Sequence, residues 1–392
     1  MQQARGNPDS ASTHAPDAIR ELARLFLRLG IIAFGGPAAH IAMMEDEVVR
    51  RRQWLSHEDF LDMLGATNLI PGPNSTEMAI HIGYRRAGWK GLLVAGMCFI
   101  VPAVLITLAI AWAYVKFGSL PQAQALLYGI KPVIIAVVVQ ALWRLGRTAL
   151  RDSILIALGV MSVVASFLGV NELVVLFGAG IVMAAYRWMR ERFSNGASAG
   201  ALAMFPKFAI LKAVAAGAAP FSLMALFLFF LKVGAVLFGS GYVLLAFIQA
   251  DLVDRLHWLT KAQLLDAVAV GQITPGPVFS TATFVGYLLG GVPGATVSTI
   301  GIFLPSFVFV ALSGLVLPYL RRSPVTAAFL DGVNVGALAL MVLVTWQLGI
   351  AAMVDFTTIA LAIVSAFLLL RYQFNSAWLI VMGGIVGILA LG

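Results

Sequence analysis

The chain has 392 residues, 60% of them hydrophobic and only 11% charged, and its mean hydropathy is +0.94. A soluble domain usually carries about 25% charged residues, so this composition excludes most soluble enzymes, disordered chains and fibres. Lipid must be the main solvent, and at about 20 residues per crossing roughly 12 or 13 crossings fit, with no sizeable soluble domain left over.

Residues 1–20 are polar and lack the basic-then-apolar layout of a signal peptide, which predicts a disordered cytoplasmic tail. Apolar runs follow at roughly 22–44, 60–84, 91–115, 123–145, 153–169 and 172–189. A polar stretch at 190–200 and a shorter apolar run near 205–220 come next. A second series falls at roughly 221–249, 264–289, 294–318, 326–347, 354–370 and 376–391. All read as helices, because lone strands leave backbone groups unsatisfied in lipid. The one cysteine, Cys98, lies inside an apolar run and allows no internal disulfide and no multi-cysteine metal site.

The chain repeats itself. Phe34 opens FGGP and Phe238 opens FGSG; Trp54-Leu55-Ser56 matches Trp258-Leu259-Thr260, and Pro71-Gly72-Pro73 matches Pro275-Gly276-Pro277. These pairs are 204 positions apart, and after one deletion the offset becomes 203, as for Pro102 and Pro305 or Gly129 and Gly332. The net charge of +8 marks basic cytoplasmic loops rather than nucleic-acid binding. In the first copy, basic residues precede the first run (Arg20, Arg24, Arg28). They also follow the second (Arg85, Arg86, Lys90), the fourth (Arg144, Arg147, Arg151) and the sixth (Arg187, Arg190, Arg192). In the second copy they follow the first (Arg255, Lys261), third (Arg321, Arg322) and fifth (Arg371) instead. Arg50, Arg51 and Arg52 fall on the wrong side, but among Glu45, Asp46, Glu47, Glu58 and Asp59.

The expected fold is therefore an all-α polytopic integral membrane protein built from two inverted-topology repeats of about six helical segments each. The repeats are expected at 21–190 and 221–392, with a linker at 191–220 that supplies the odd crossing, for about 12–13 segments in total. Inverted repeats are the architecture of many secondary transporters.

Two prolines and a glycine interrupt an apolar segment at the same place in each copy. Proline removes a donor and breaks the helix. Pro71, Gly72 and Pro73, like Pro275, Gly276 and Pro277, thus split a helix near membrane depth, and Asn74 and Ser75 can cap the second half-helix. The amino end of a half-helix offers free N–H groups and a positive dipole to an anion. Arg28 and Lys232 are repeat equivalents inside the first runs, and Lys131 is a third intramembrane cation, whose counterpart is Asn334. Such charges are expensive and usually functional, although Arg and Lys can also snorkel to the interface. Gly35 and Gly36, with Gly239 and Gly241, permit close backbone approach or unwinding, or else tight helix packing.

Asn74, Glu77 and His81 share one helix face, so Glu77 and His81 are candidates to carry a proton, unless they pair with Arg85 or Arg86. His57, Glu58, Asp59 and Asp62 resemble metal ligands, but Ser56-x-x-Asp59 and Thr260-x-x-Gln263 read as helix caps. No nucleotide loop or HExxH occurs, so no enzyme chemistry, cofactor or metal is expected.

FGGPAAH, a polar loop ending in Trp54-Leu55, PGP, and the GWKG and GVPG stretches together resemble the chromate ion transporter family in its two-domain form. The resemblance spans about residues 22 to 349. It implies efflux of chromate across the bacterial inner membrane, driven by the proton gradient, with sulfate, a dianion of similar shape, as a competitor. The residues themselves reach only a small dianion: chromate and sulfate, export and import, and a passive anion channel all stay open, as does homodimerisation.

Overall fold

The computed structural model describes residues 15–34, 36–194, 220–238, 241–320 and 323–391. Among them are fourteen α-helices and no strand, the outcome lipid imposes on backbone groups. Helix α1 (Ala15–Ile32) begins within the stretch expected as a tail and places Asp17 in its positive first turn, while residues 1–14 lie outside the described residues. The crossing expected near 205–220 lies outside the described residues, as do Gly35 and Gly239.

The first apolar run is two helices, α1 and α2 (Gly36–Glu45), and α2 runs into a π-helical turn at Asp46–Arg51. Ser56 caps α3 (His57–Thr67) by accepting the Asp59 N–H at 3.0 Å. The first PGP separates α3 from α4 (Asn74–Phe117), and α5 (Pro121–Ala149), α6 (Ser153–Phe167) and α7 (Glu172–Ser194) follow. The second series is α8 (Leu223–Val236), α9 (Val243–Phe247) with a π-helical turn at Ile248–Arg255, and α10 (Lys261–Ile273), capped reciprocally by Thr260 and Gln263. It ends with α11 (Thr281–Leu320), α12 (Pro324–Ala352), α13 (Phe356–Tyr372) and α14 (Ser376–Leu391). Helix starts recur at the sequence offset: Pro121 and Pro324, or Ser153 and Phe356, are 203 apart.

Five helical stretches are long and apolar enough to cross a membrane: Asn74–Phe117, Pro121–Ala149, Glu172–Arg192, Val278–Ser313 and Pro324–Ala352. Helices α6, α8, α13 and α14 are apolar but shorter. The helices therefore do not follow the 12–13 expected runs one for one, because α4 and α11 each absorb two runs. Each doubles back on itself. Gly88 and Gly291 both have φ of 59°, which glycine alone adopts freely. The turn brings Gly83 against the Gly91 carbonyl, although eight residues of straight helix would span about 12 Å.

Packing crosses between the halves. Helix α5 packs on α13 and α14, while α12 packs on α6 and α7, and α4 meets α11 at the centre. Small residues make these approaches possible, as is usual where lipid supplies no hydrophobic drive. A methyl added at Gly129 would lie 2.7 Å from the Gly387 nitrogen, and one at Gly332 would lie 2.8 Å from the Gly180 Cα. Large apolar side chains such as Trp346, Phe356 and Trp378 stay exposed on the outer surface, where lipid would cover them.

Candidate anion-binding site

The two PGP breaks are closed by each other's halves. Gly72 has φ of 137° and Gly276 has φ of 83°. The Gly72 N–H donates to the Leu237 carbonyl just after α8, and the Gly276 N–H donates to the Ala33 carbonyl just after α1, each at 2.8 Å. His40 is buried, and its Nε2 lies 3.0 Å from the same Ala33 oxygen. These bonds tie each break to the end of the other half's first helix, close to Gly36 and Gly241.

A cavity of about 290 Å³ opens there. Gly36, Asn74, Gly241 and Gly276 line it, so residues of both glycine motifs and at both breaks meet in one space. Polar side chains join them in the wall, among them Gln140 and Arg144 from α5, with His40, Tyr242, Gln272, Thr274 and Ser376. The Tyr242 hydroxyl donates to Gln272 Oε1 at 3.2 Å. Arg144 forms no ion pair among the described residues, so its guanidinium is available to an anion. Asn74 Nδ2 donates to Asn68 Oδ1 at 2.6 Å, and Ser75 is buried in the first turn of α4.

Glu77 lies just behind the first break and is fully buried. Neither of its carboxylate oxygens has a hydrogen-bond partner among the described residues. Gly72 packs against it so closely that any β-carbon there would strike Glu77 Oε1. Arg85 and Arg86 do not serve it: Arg85 lies 3.8 Å from Asp59, and Arg86 pairs with Glu21 at 3.3 Å and covers the Trp54 ring. His81 is half-buried one turn further along α4. The counterpart of Glu77 is Ser280 or Thr281, neither of them titratable, and the Thr281 hydroxyl donates to the Val278 carbonyl.

The cations singled out in the sequence all have carboxylate partners. Arg28 lies 3.4 Å from Glu47, which also holds Arg51 and Arg52. Lys232 pairs with Asp251, which also holds Arg255 at 2.8 Å. Glu47 and Asp251 sit at matching places in the two π-helical turns. Lys131 lies 3.0 Å from Asp266 in a different cavity. Sequence reasoning missed Gln140, Arg144, Tyr242 and Gln272. Arg144 was counted among the loop charges, yet it closes an apolar run, and its counterpart Gln347 is neutral.

A family model described as Chromate transporter matches residues 20–185 and 224–388. The chain belongs to this family. Within the chromate transporter family, it is 34% identical over 397 residues to the chromate transport protein of Cupriavidus metallidurans, covering 99% of this chain and 96% of that one. It is 32% identical to the chromate transport protein of Pseudomonas aeruginosa (96% and 92% covered) and 30% identical to the probable chromate transport protein of Synechococcus elongatus (90% of each). No solved structure matches the chain. The family comprises transporters rather than enzymes, and the long apolar helices make this member a multi-pass membrane protein.

Proposed function

We propose that the chain exports chromate across the bacterial inner membrane, coupled to the proton gradient, and that the central cavity is where the anion binds. Relatives named as chromate transport proteins match nearly the whole chain. A half-helix end supplies at most about half a charge, so two such ends fall short of a dianion. Arg144 adds a full charge in a planar fork that suits a tetrahedral oxyanion. Gly36 opens α2 and Asn74 and Ser75 open α4, so backbone donors of two helix starts lie at the cavity; Gly276 lines it with its own N–H spent on Ala33, and the flanking prolines Pro71, Pro73, Pro275 and Pro277 keep the half-helix ends open. Arg28 and Lys232, each committed to a carboxylate, anchor α1 and α8 and lend positive potential from behind.

The observation that carries the coupling is Glu77, a carboxyl buried without a hydrogen-bond partner among the described residues, three positions after Asn74 of the cavity wall. An unpaired buried charge costs several kcal/mol, so a proton is the partner Glu77 requires, with His81 as its relay. A passive pore has no use for such a group. The two halves are taken as inverted in the membrane, from the swapped Lys/Arg bias and the crossed pairing of α5 and α12. Chromate and sulfate flux into inside-out vesicles, with and without a proton gradient, tests the proposal. Gradient-dependent chromate accumulation, with sulfate competing, is expected; equilibration that ignores the gradient would leave a channel.

A further inference from the structure

Two more cavities lie at corresponding places in the two halves. One, of about 360 Å³, is lined by Asn68, Asn74, Thr148, Arg151, Asp331 and Asn334. It shares Asn74 and Leu145 with the central cavity. The other, of about 390 Å³, is lined by Tyr114, Gln124, Tyr128, Lys131, Asp266 and Ala351. Tyr128 and Asp331, Lys131 and Asn334, and Ala351 and Thr148 each stand 203 positions apart, so the two spaces are counterparts. They differ in charge: Arg151 and Asp331, paired with each other at 2.6 Å, stand where the other cavity has Val354 and Tyr128, and Lys131 stands where the first has Asn334.

Lys131 and Arg144 both belong to α5, thirteen residues or about 20 Å apart along the axis. Their counterparts in α12, Asn334 and Gln347, are uncharged. A line of positive charge thus follows one helix only, and its two ends open into different cavities. Arg144 has no carboxylate among the described residues. Lys131 has one: Asp266 on α10 lies 3.0 Å away, with its side chain only 5% exposed. The Tyr114 hydroxyl from α4 donates to the other carboxylate oxygen at 2.8 Å. Tyr128, the remaining titratable group of the cavity, is occupied in donating to Asp355 at 2.5 Å. A buried ion pair gives little net stability over an apolar pair of the same size, and intramembrane charges usually mark an ion path.

We propose that Lys131 is a second oxyanion site at the far end of α5, and that Asp266 is a tethered anion that fills it while no oxyanion is present. A dianion entering the cavity exchanges ion pairs: it takes the Lys131 ammonium, and Asp266 withdraws onto Tyr114. No covalent bond changes. The inference rests on Arg144 being the first anion position, and the test separates the two.

The experiment is sulfate binding to the purified full-length chain in detergent. The wild type is expected to bind one sulfate tightly through Arg144. Asp266→Asn empties the lysine, and a second sulfate is expected to bind about tenfold tighter than in the wild type. Adding Lys131→Gln to that variant returns it to one site. Adding Arg144→Ala instead removes the first site and leaves the second. A folded Asp266→Asn variant that gains no sulfate binding overturns the proposal. Should that variant not fold, Tyr114→Phe keeps the ring against Phe284 and removes only the hydroxyl that holds Asp266 away from the anion. It is expected to shift second-site affinity in a Lys131-dependent way, and no shift overturns the proposal equally. A wild-type site that survives Arg144→Ala defeats the central-cavity reading alone, because the Lys131 arm is scored separately.

Discussion

Glu77 has two carboxylate oxygens with no hydrogen-bond partner among the described residues, and Gly72 packs against one of them. Glu77→Gln keeps the shape and removes the titration. Gradient-driven chromate accumulation should fall at least about tenfold, equivalent to ~1.4 kcal/mol, while equilibrium binding of the dianion persists. Intact accumulation in both Glu77→Gln and His81→Ala would return these residues to a structural role. The sequence drew attention to Glu77 as a carboxyl one turn past a helix break, but it could not tell that Arg85 and Arg86 have other partners. Arg28 and Lys232 were legible as intramembrane cations, but their partners were not. Glu47 and Asp251 stand nineteen residues further on in each case, and only the π-helical turns bring them back. Arg144 stayed hidden for a related reason: a cation at the end of an apolar run looks the same whether it faces headgroups or a cavity.

Helix α5 approaches α14 at Gly129, where an added methyl would fall 2.7 Å from the Gly387 nitrogen. Gly129→Val should cost about 1–3 kcal/mol through overpacking. The thermal midpoint in detergent should drop by several degrees, with poorer yield. Gly178→Ala is the control, since nothing lies within 4 Å of a methyl there, and an equal loss in both would refute the contact argument. The elements themselves were largely readable. The caps at Ser56 and Thr260 come from local hydrogen bonding, and local chemistry is what a sequence states most directly. The doubling-back of α4 and α11 was not readable, because Ala87-Gly88 and Gly290-Gly291 look like ordinary loop glycines until their dihedrals are known.

At the scale of the whole molecule the inverted arrangement is open to a direct test. With Cys98 replaced, single cysteines placed near Arg147 and near Ala351, both exposed, should react with an impermeant reagent from opposite sides of the membrane. Labelling from one side would dismiss inversion. The duplication was plain in the sequence because its offset barely drifts, whereas the partner of each helix was not: nothing local says that α5 belongs with α13 and α14. That exchange bears on how the chain is made. Helix α5 enters the bilayer while residues 376–391 are still untranslated, so its glycine face must rest against lipid, or against the insertion machinery, until α14 arrives. The first half stays unsealed throughout synthesis of the second. A ribosome stalled between α12 and α14 would hold an insertion intermediate with its packing seam open, which is the substrate that membrane quality-control proteases are built to find.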